Sequence, residues 1–222
     1  MIKKFDPHAI PIRTVADLLE RLGGIAPERV LMSPPPGTAT EADVIRLLEN
    51  PKRKVIAELI DGFLVEKPVR IWKSVLAGVV ATRLMNHVEP RGLGVVAPPV
   101  CPYRLGGGNV RFPDVPFVPW SAFDGDLKGV KVADFPPVLA VEILSESNTP
   151  KEIVMKLAEY FDRGCKLAWI IDPATETATV YTSAKRGKAI PADGELTGGK
   201  VLPGFVLKLS DLFAATKRPA KK

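Results

Sequence analysis

A single carboxylate inside an apolar run restricts the folding of this chain more than any other feature. Residues 138–144 read VLAVEIL and would suit a strand covered on both faces, were it not for Glu142. Taking a lone ionised carboxylate out of water costs roughly several kcal/mol even after the surroundings relax. Glu142 therefore requires a partner cation, a metal ion or a raised pKa, unless the strand is an edge that leaves Val138, Ala140, Glu142 and Leu144 on a half-wet face. The next residues extend the pattern: KEIVMKLAEYFDRG has helical spacing and stops at Gly164, and KLAWIID is a second strand. Together they form a βαβ unit with parallel strands.

Upstream, RKVIAELIDGFLVEKPV reads as a hairpin, with a strand from Val55 to Ile60, a turn at Asp61–Gly62 and a return from Phe63 to Glu66. Glu58 lies in its first strand. IWKSVLAGVVATRLMNHVEPRG carries a long apolar stripe without internal proline and is the main N-terminal helix, where His87 is expected to cap the dipole. Ahead of the hairpin, TVADLLERLGG and SPPPGTATEADVIRLLENP give two short helices. Thr14 is the N-cap and Gly23 the stop of the first, and a Thr40–Asp43 capping box opens the second. The run Gly106–Gly108 lacks the spacing and the Lys-Ser/Thr of a phosphate-binding loop, so it is a turn. TATVYTS and VLPGFVLKL are expected to complete the sheet, and SDLFAA to form a terminal helical turn.

Composition narrows the chemistry. Cys101 and Cys165 lie far apart with only two histidines to join them, which suggests neither a zinc site nor a disulfide framework. No apolar stretch reaches the roughly eighteen residues of a membrane span. The first residues, MIKKFDPHAIPIR, lack the apolar core and cleavage site of a signal peptide, so a cytoplasmic location is expected. A net charge of +6 and a pI near 9.3 favour polyanionic partners such as nucleic acid, although part of the excess sits in the tail TKRPAKK.

Two further residues join Glu142. Asp114, in RFPDVPFV, follows a proline and precedes an alternating apolar stretch, as a carboxylate at the start of a strand would. Lys156 falls at the edge of the helix face made by Ile153, Val154, Leu157, Tyr160 and Phe161, within reach of the strand. Two carboxylates from adjacent strands are the hard oxygen ligands that Mg²⁺ favours, with water and substrate phosphate completing the shell. A neighbouring lysine orients or deprotonates the attacking water and stabilises charge on a phosphoryl oxygen. Each residue also has a plainer reading: Asp114 in a turn, Glu142 on an edge strand, Lys156 lying along a helix surface.

AELIDGFLVEK, VRFPDVPFV, PPVLAVEILSESNTPKEIVMKLAEYFDRGCKLAWIIDP, TVYTS and VLPGFVLKLSDLF, in that order, resemble the Uma2 family, the DUF820 group of endonucleases with the PD-(D/E)XK fold. The resemblance runs from about residue 55 to 213, and its long central stretch is the specific part. It implies that Asp114 and Glu142 are a metal-binding pair, with the backbone carbonyl of Ile143 a further ligand and Glu58 binding metal directly or through water. In the wider superfamily the catalytic lysine stands two residues after the strand glutamate, where this chain has Leu144. The family resembles a variant with the lysine on the following helix, which here is Lys156. Glu152 and Tyr160 match supporting positions, and Glu152 would pair with Lys156 at i, i+4 for about 0.2–0.5 kcal/mol on an exposed helix. Many relatives carry a histidine at the start of the long helix, where this chain has RIWKS.

The expectation is therefore an α/β restriction-endonuclease-like fold, a central mixed sheet flanked by helices. Residues 1–50 form an N-terminal helical extension, 51–215 the nuclease domain and 216–222 a basic disordered tail. The expected activity is Mg²⁺- or Mn²⁺-dependent hydrolysis of DNA phosphodiester bonds by a homodimer built on the long helix. The alternative is a nucleic-acid-binding or assembly module that keeps the fold and cleaves nothing. A plain structural protein would leave Glu142 without a reason. No recognition motif for DNA sequence is legible.

Overall fold

The computed structural model describes residues 11–52 and 55–218. The first ten residues of the expected extension and residues 219–222 of the expected tail lie outside them.

The chain opens on α1 (Val15–Arg21), fixed by a reciprocal box in which the Asp17 N–H donates to Thr14 Oγ1 at 3.2 Å and the Thr14 N–H to Asp17 Oδ2 at 2.9 Å. It gives way to Gly23 at φ +91°, where an added Cβ would lie 2.9 Å from the backbone nitrogen of Glu152. After β1 (Val30–Leu31), the Thr40–Asp43 box opens α2 (Glu41–Glu49). The hairpin of β2 (Ala57–Ile60) and β3 (Phe63–Glu66) turns on Asp61 and Gly62, both with positive φ, as a two-residue turn matched to strand twist requires. In α3 (Ile71–Val88) Leu76, Val80, Leu84 and Val88 recur every fourth residue and are all buried.

The short strands β4 (Gly94–Val96), β5 (Tyr103–Arg104) and β6 (Val110–Arg111) come next, with the glycine run forming a tight turn between β5 and β6. Then follow β7 (Val115–Pro119), β8 (Leu139–Ile143), α4 (Pro150–Asp162), β9 (Leu167–Asp172), β10 (Thr177–Ser183) and β11 (Arg186–Ile190). The chain closes with β12 (Glu195–Thr197), β13 (Val206–Lys208) and α5 (Leu209–Ala214).

Among the described residues these strands form two main sheets. The smaller has the order β1-β3-β2-β6-β5, so part of the N-terminal segment enters the sheet rather than covering it. The larger has the order β11-β10-β9-β8-β7-β4, with β8 and β9 parallel across α4 and the other pairs antiparallel. Strand β8 is interior, which excludes the edge reading of Glu142. Leu139, Val141 and Ile143 pack with α3 and with Leu167, Trp169 and Ile171 in the main core. The alternate residues Ala140 and Glu142 belong to the opposite face, where Ala140 packs with Tyr160 of α4.

Two expectations need correction. VLPGFVLKL does not complete the large sheet, because Pro203 and Gly204 cut the strand to three residues that pair with β12 in a ribbon of their own. His87 does not cap α3. Its ring packs edge-on to Phe205 with centroids 5.5 Å apart, and it is the Arg91 guanidinium that donates to the His87 carbonyl, at 2.9 Å.

Candidate active site

Thr149 and Pro150 start α4, with the Glu152 N–H donating to Thr149 Oγ1 at 3.0 Å. That start sets which residues turn inward. Glu152, Met155, Lys156, Leu157 and Tyr160 are buried, whereas Val154, expected on the apolar face, is 52% exposed. Glu152, Lys156 and Tyr160 stand four apart and so form a polar stripe along the buried side. Lys156 Nζ lies 3.0 Å from Glu58 Oε1 and 3.5 Å from Glu142 Oε1, and the Tyr160 hydroxyl donates to Glu142 Oε1 at 2.6 Å. The carboxylate in the apolar strand thus has a cation and a hydroxyl for partners. No hydrogen bond among the described residues engages its Oε2.

Glu58 is held from its other side by Arg111, whose Nη1 donates to Oε2 at 3.0 Å. The same guanidinium donates through Nε and Nη2 to both oxygens of Glu159, each at 2.6 Å, and Asn109 Nδ2 adds a bond to Glu159 at 3.1 Å. This fork-on-fork geometry fixes Arg111 in place.

Asp114 stands one residue before Val115, which pairs with Val141, so it faces Glu142 across the β7–β8 ladder. Its Oδ1 is 2.8 Å from Lys67 Nζ, and its Oδ2 is 3.0 Å from Lys73 Nζ. The Ile143 N–H also donates to Oδ2, at 2.8 Å. Lys67 has a second bond, to the Phe112 carbonyl. A cavity of about 30 Å³ opens beside Asp114, lined by Lys67, Arg70, Lys73 and Ser74 among others. That is room for one water molecule or one ion.

The electrostatics follow from these contacts. Burial alone would raise the pKa of Glu58, but Lys156, Arg111 and Lys67 outweigh it and hold the carboxyl far below its ordinary value. Burial likewise opposes the Asp114 carboxylate and is outweighed by Lys67 and Lys73. For Lys156 burial favours the neutral amine, yet Glu142, Glu58 and Glu152 push its pKa above the usual lysine value. Burial and the neighbouring Glu142 keep Tyr160 protonated. Burial lowers the Lys73 pKa against the pull of Asp114. Glu58, Asp114, Glu142 and Glu159 are thus matched in number by Lys67, Lys73, Lys156 and Arg111, in two contact groups: Asp114 with Lys67 and Lys73, and Glu58, Glu142 and Glu159 with Lys156 and Arg111.

A sequence model of the Uma2 family, described as "Putative restriction endonuclease", matches residues 30–210. The chain belongs to the Uma2 family. A crystal structure from Anabaena variabilis ATCC 29413, described as a "putative nuclease belonging to DUF820", aligns with a TM-score of 0.67 at 20% identity. The match covers 77% of this chain and 96% of that one. It shows that this Uma2 protein has the restriction-endonuclease-like fold. No curated protein matches the chain.

For this Uma2 member the fold brings Glu58, Glu142, Lys156 and Tyr160 into one buried cluster, with Asp114 and Ile143 beside it. Glu152 does not pair with Lys156 on an exposed face as expected. It is 1% exposed and accepts from Arg29 Nη2 at 2.7 Å, Arg29 Nη1 at 3.1 Å and Asn148 Nδ2 at 3.0 Å. Arg29 reaches it because β1 joins the sheet next to α4. Sequence reasoning missed Arg29, Lys67, Lys73, Arg111 and Glu159. A signal for Lys73 existed: it precedes Leu76, Ala77 and Val80 at helical spacings of three, four and seven, the buried face of α3.

Nucleases of this fold generally use divalent metal ions. Among the described residues no group of three or more His, Cys, Asp and Glu side chains is gathered to hold one. The donor chemistry nevertheless fits. Asp114 and Glu142 present hard carboxylate oxygens on neighbouring strands, a number Mg²⁺ accepts when waters and phosphate supply the rest, and the cavity beside Asp114, which Glu142 does not line, has the volume of an ion. No helix of the described residues is long and apolar enough to cross a membrane.

Proposed function

We propose that this Uma2 protein is an endonuclease that hydrolyses DNA phosphodiester bonds with Mg²⁺ or Mn²⁺ held by Asp114 and Glu142. The observation that carries the reading is the Asp114–Glu142 pair, on adjacent strands, with Lys156 Nζ 3.5 Å from Glu142. When bound, the ion supplies Lewis-acid activation of the phosphate and of water. The family resemblance implies that the Ile143 carbonyl completes the set.

Lys156 serves as a fixed cation. Its raised pKa keeps it an ammonium, so it orients the attacking water and stabilises charge growing on the phosphoryl oxygens, and does not take a proton. Glu58 and Glu142 aim that ammonium, and Tyr160 holds the rotamer of Glu142. Arg111, locked by Glu159, holds Glu58 in turn. Burial excludes competing water from the charged groups and strengthens each of these contacts.

Incubating supercoiled plasmid and single-stranded DNA with the protein in Mg²⁺, Mn²⁺ or EDTA tests this directly. Cleavage with either metal, absent in EDTA and reduced about 10²–10³-fold in Lys156→Ala, is the expected result. Lys156→Arg should fail as well, since a planar guanidinium does not replace a compact ammonium.

A second reading, a module that binds nucleic acid or assembles without turnover, is favoured by one observation: the carboxylates are already neutralised by lysine and arginine. DNA retention without cleavage under every metal condition would establish it. In either reading a homodimer through α3, whose Ile71 is 87% exposed, would place two such sites on a duplex. Light scattering at tens of micromolar checks this, and a species of only 24.0 kDa would count against it.

A further inference from the structure

The charge balance around Asp114 has a consequence for ligand binding. A divalent cation cannot approach Asp114 while two ammonium groups sit on its two oxygens in a buried site, where like charges repel with little screening. One of them must leave. Lys67 is the less able to do so, because it is also bonded to the Phe112 carbonyl. Among the described residues Asp114 is the only hydrogen-bond or ion-pair partner of the Lys73 ammonium. Lys73 also lies in the first turn of α3, between the exposed residues Ile71, Trp72 and Val75, and lines the cavity that leads outward past Arg70 and Ser74. Its four-carbon stem is long enough to carry the ammonium from the carboxylate to the cavity mouth.

We propose that Lys73 is a built-in surrogate cation: it occupies the metal position on Asp114 when no metal is bound, and a divalent ion enters only by displacing it. This rests on the metal-dependent reading above. Lys67 then remains on Oδ1 as a fixed partner, and the affinity of the site for metal is set by competition with a side chain of the protein itself.

The test is calorimetric titration of Mn²⁺ into the wild-type protein, Lys73→Met, Lys73→Gln and Lys73→Arg, with melting temperatures measured in EDTA and in Mn²⁺. Removing the charge should raise Mn²⁺ affinity by about tenfold or more and make the melting temperature rise further with Mn²⁺ than it does in wild type. Lys73→Arg, which keeps the charge, should bind no more tightly than wild type. Lys73→Gln keeps a hydrogen-bond donor for Asp114, so it reports the affinity even if Lys73→Met does not fold. Metal binding by the variants alone, with none by wild type, would be the strongest support. Equal affinity in wild type and both neutral variants would overturn the surrogate role and leave the metal site standing. Absence of Mn²⁺ binding in every protein would overturn both.

Discussion

Glu58 and Asp114 pose one physical problem and receive different solutions. Each is a carboxylate with almost no exposure, and each is held by two cations. Around Glu58 the cations are tied elsewhere: Arg111 to Glu159, and Lys156 to Glu142. Around Asp114 one cation, Lys73, has no other tie among the described residues and borders a cavity. A buried charge whose cations are all cross-linked has no spare cation to give up. One whose partner ends at an opening is available to a ligand.

The largest expected effect breaks the cross-linked half of this contrast. Arg111→Met removes the guanidinium shared by Glu58 and Glu159, leaving Glu58 with Lys156 and Glu159 with Asn109, and should cost about 3–5 kcal/mol in urea unfolding. Lys73→Gln leaves Asp114 with Lys67 and the Ile143 N–H, and should cost about 1–2 kcal/mol. Equal losses would erase the distinction.

An intermediate effect concerns the Arg29–Glu152 pair, which ties the N-terminal segment to α4. Burial would raise the Glu152 pKa, but the Arg29 hydrogen bonds and Lys156 hold it below the ordinary 4.5. A carboxyl depressed in the folded state stabilises fully above its unfolded pKa and loses that stabilisation as pH falls through the folded value. Arg29→Gln should therefore be less stable than wild type by about 2–3 kcal/mol at pH 7, and the gap should narrow below about pH 4.5. Urea midpoints from pH 3 to 7 check this, and a gap independent of pH would contradict it.

The smallest effect is that of Tyr160→Phe. It removes one donor from Glu142 while Lys156 remains, for about 1–2 kcal/mol. Its Mn²⁺ affinity should stay close to wild type.

Much of this was readable in the chain. The apolar run with Glu142, the Asp-Gly hairpin and the helix between two strands each obey a local rule, and the structure contains all three. Lys156 was found because its helix face is periodic, although the face itself is rotated: Val154 is exposed and Lys156 is near the centre. What escaped were contacts between residues far apart in sequence. Arg29 meets Glu152 across 123 positions, and Arg111 meets Glu58 across 53. No local pattern announces which surface-type residue will be buried as a counter-ion, since that choice is made when sheets and helices pack. The ribbon of β12 and β13 escaped for a related reason: a proline and a glycine decide where its strand begins, and packing decides which sheet it joins.

Titration of Mn²⁺ into Asp114→Asn, Glu142→Gln and Glu58→Gln tests the difference between the two carboxylate centres most directly. Asp114→Asn and Glu142→Gln should each weaken binding by about tenfold or more, and Glu58→Gln should leave it nearly unchanged while slowing cleavage through the misplaced Lys156. Loss of binding in Glu58→Gln equal to that in Asp114→Asn, or unchanged binding in Glu142→Gln, would contradict this difference.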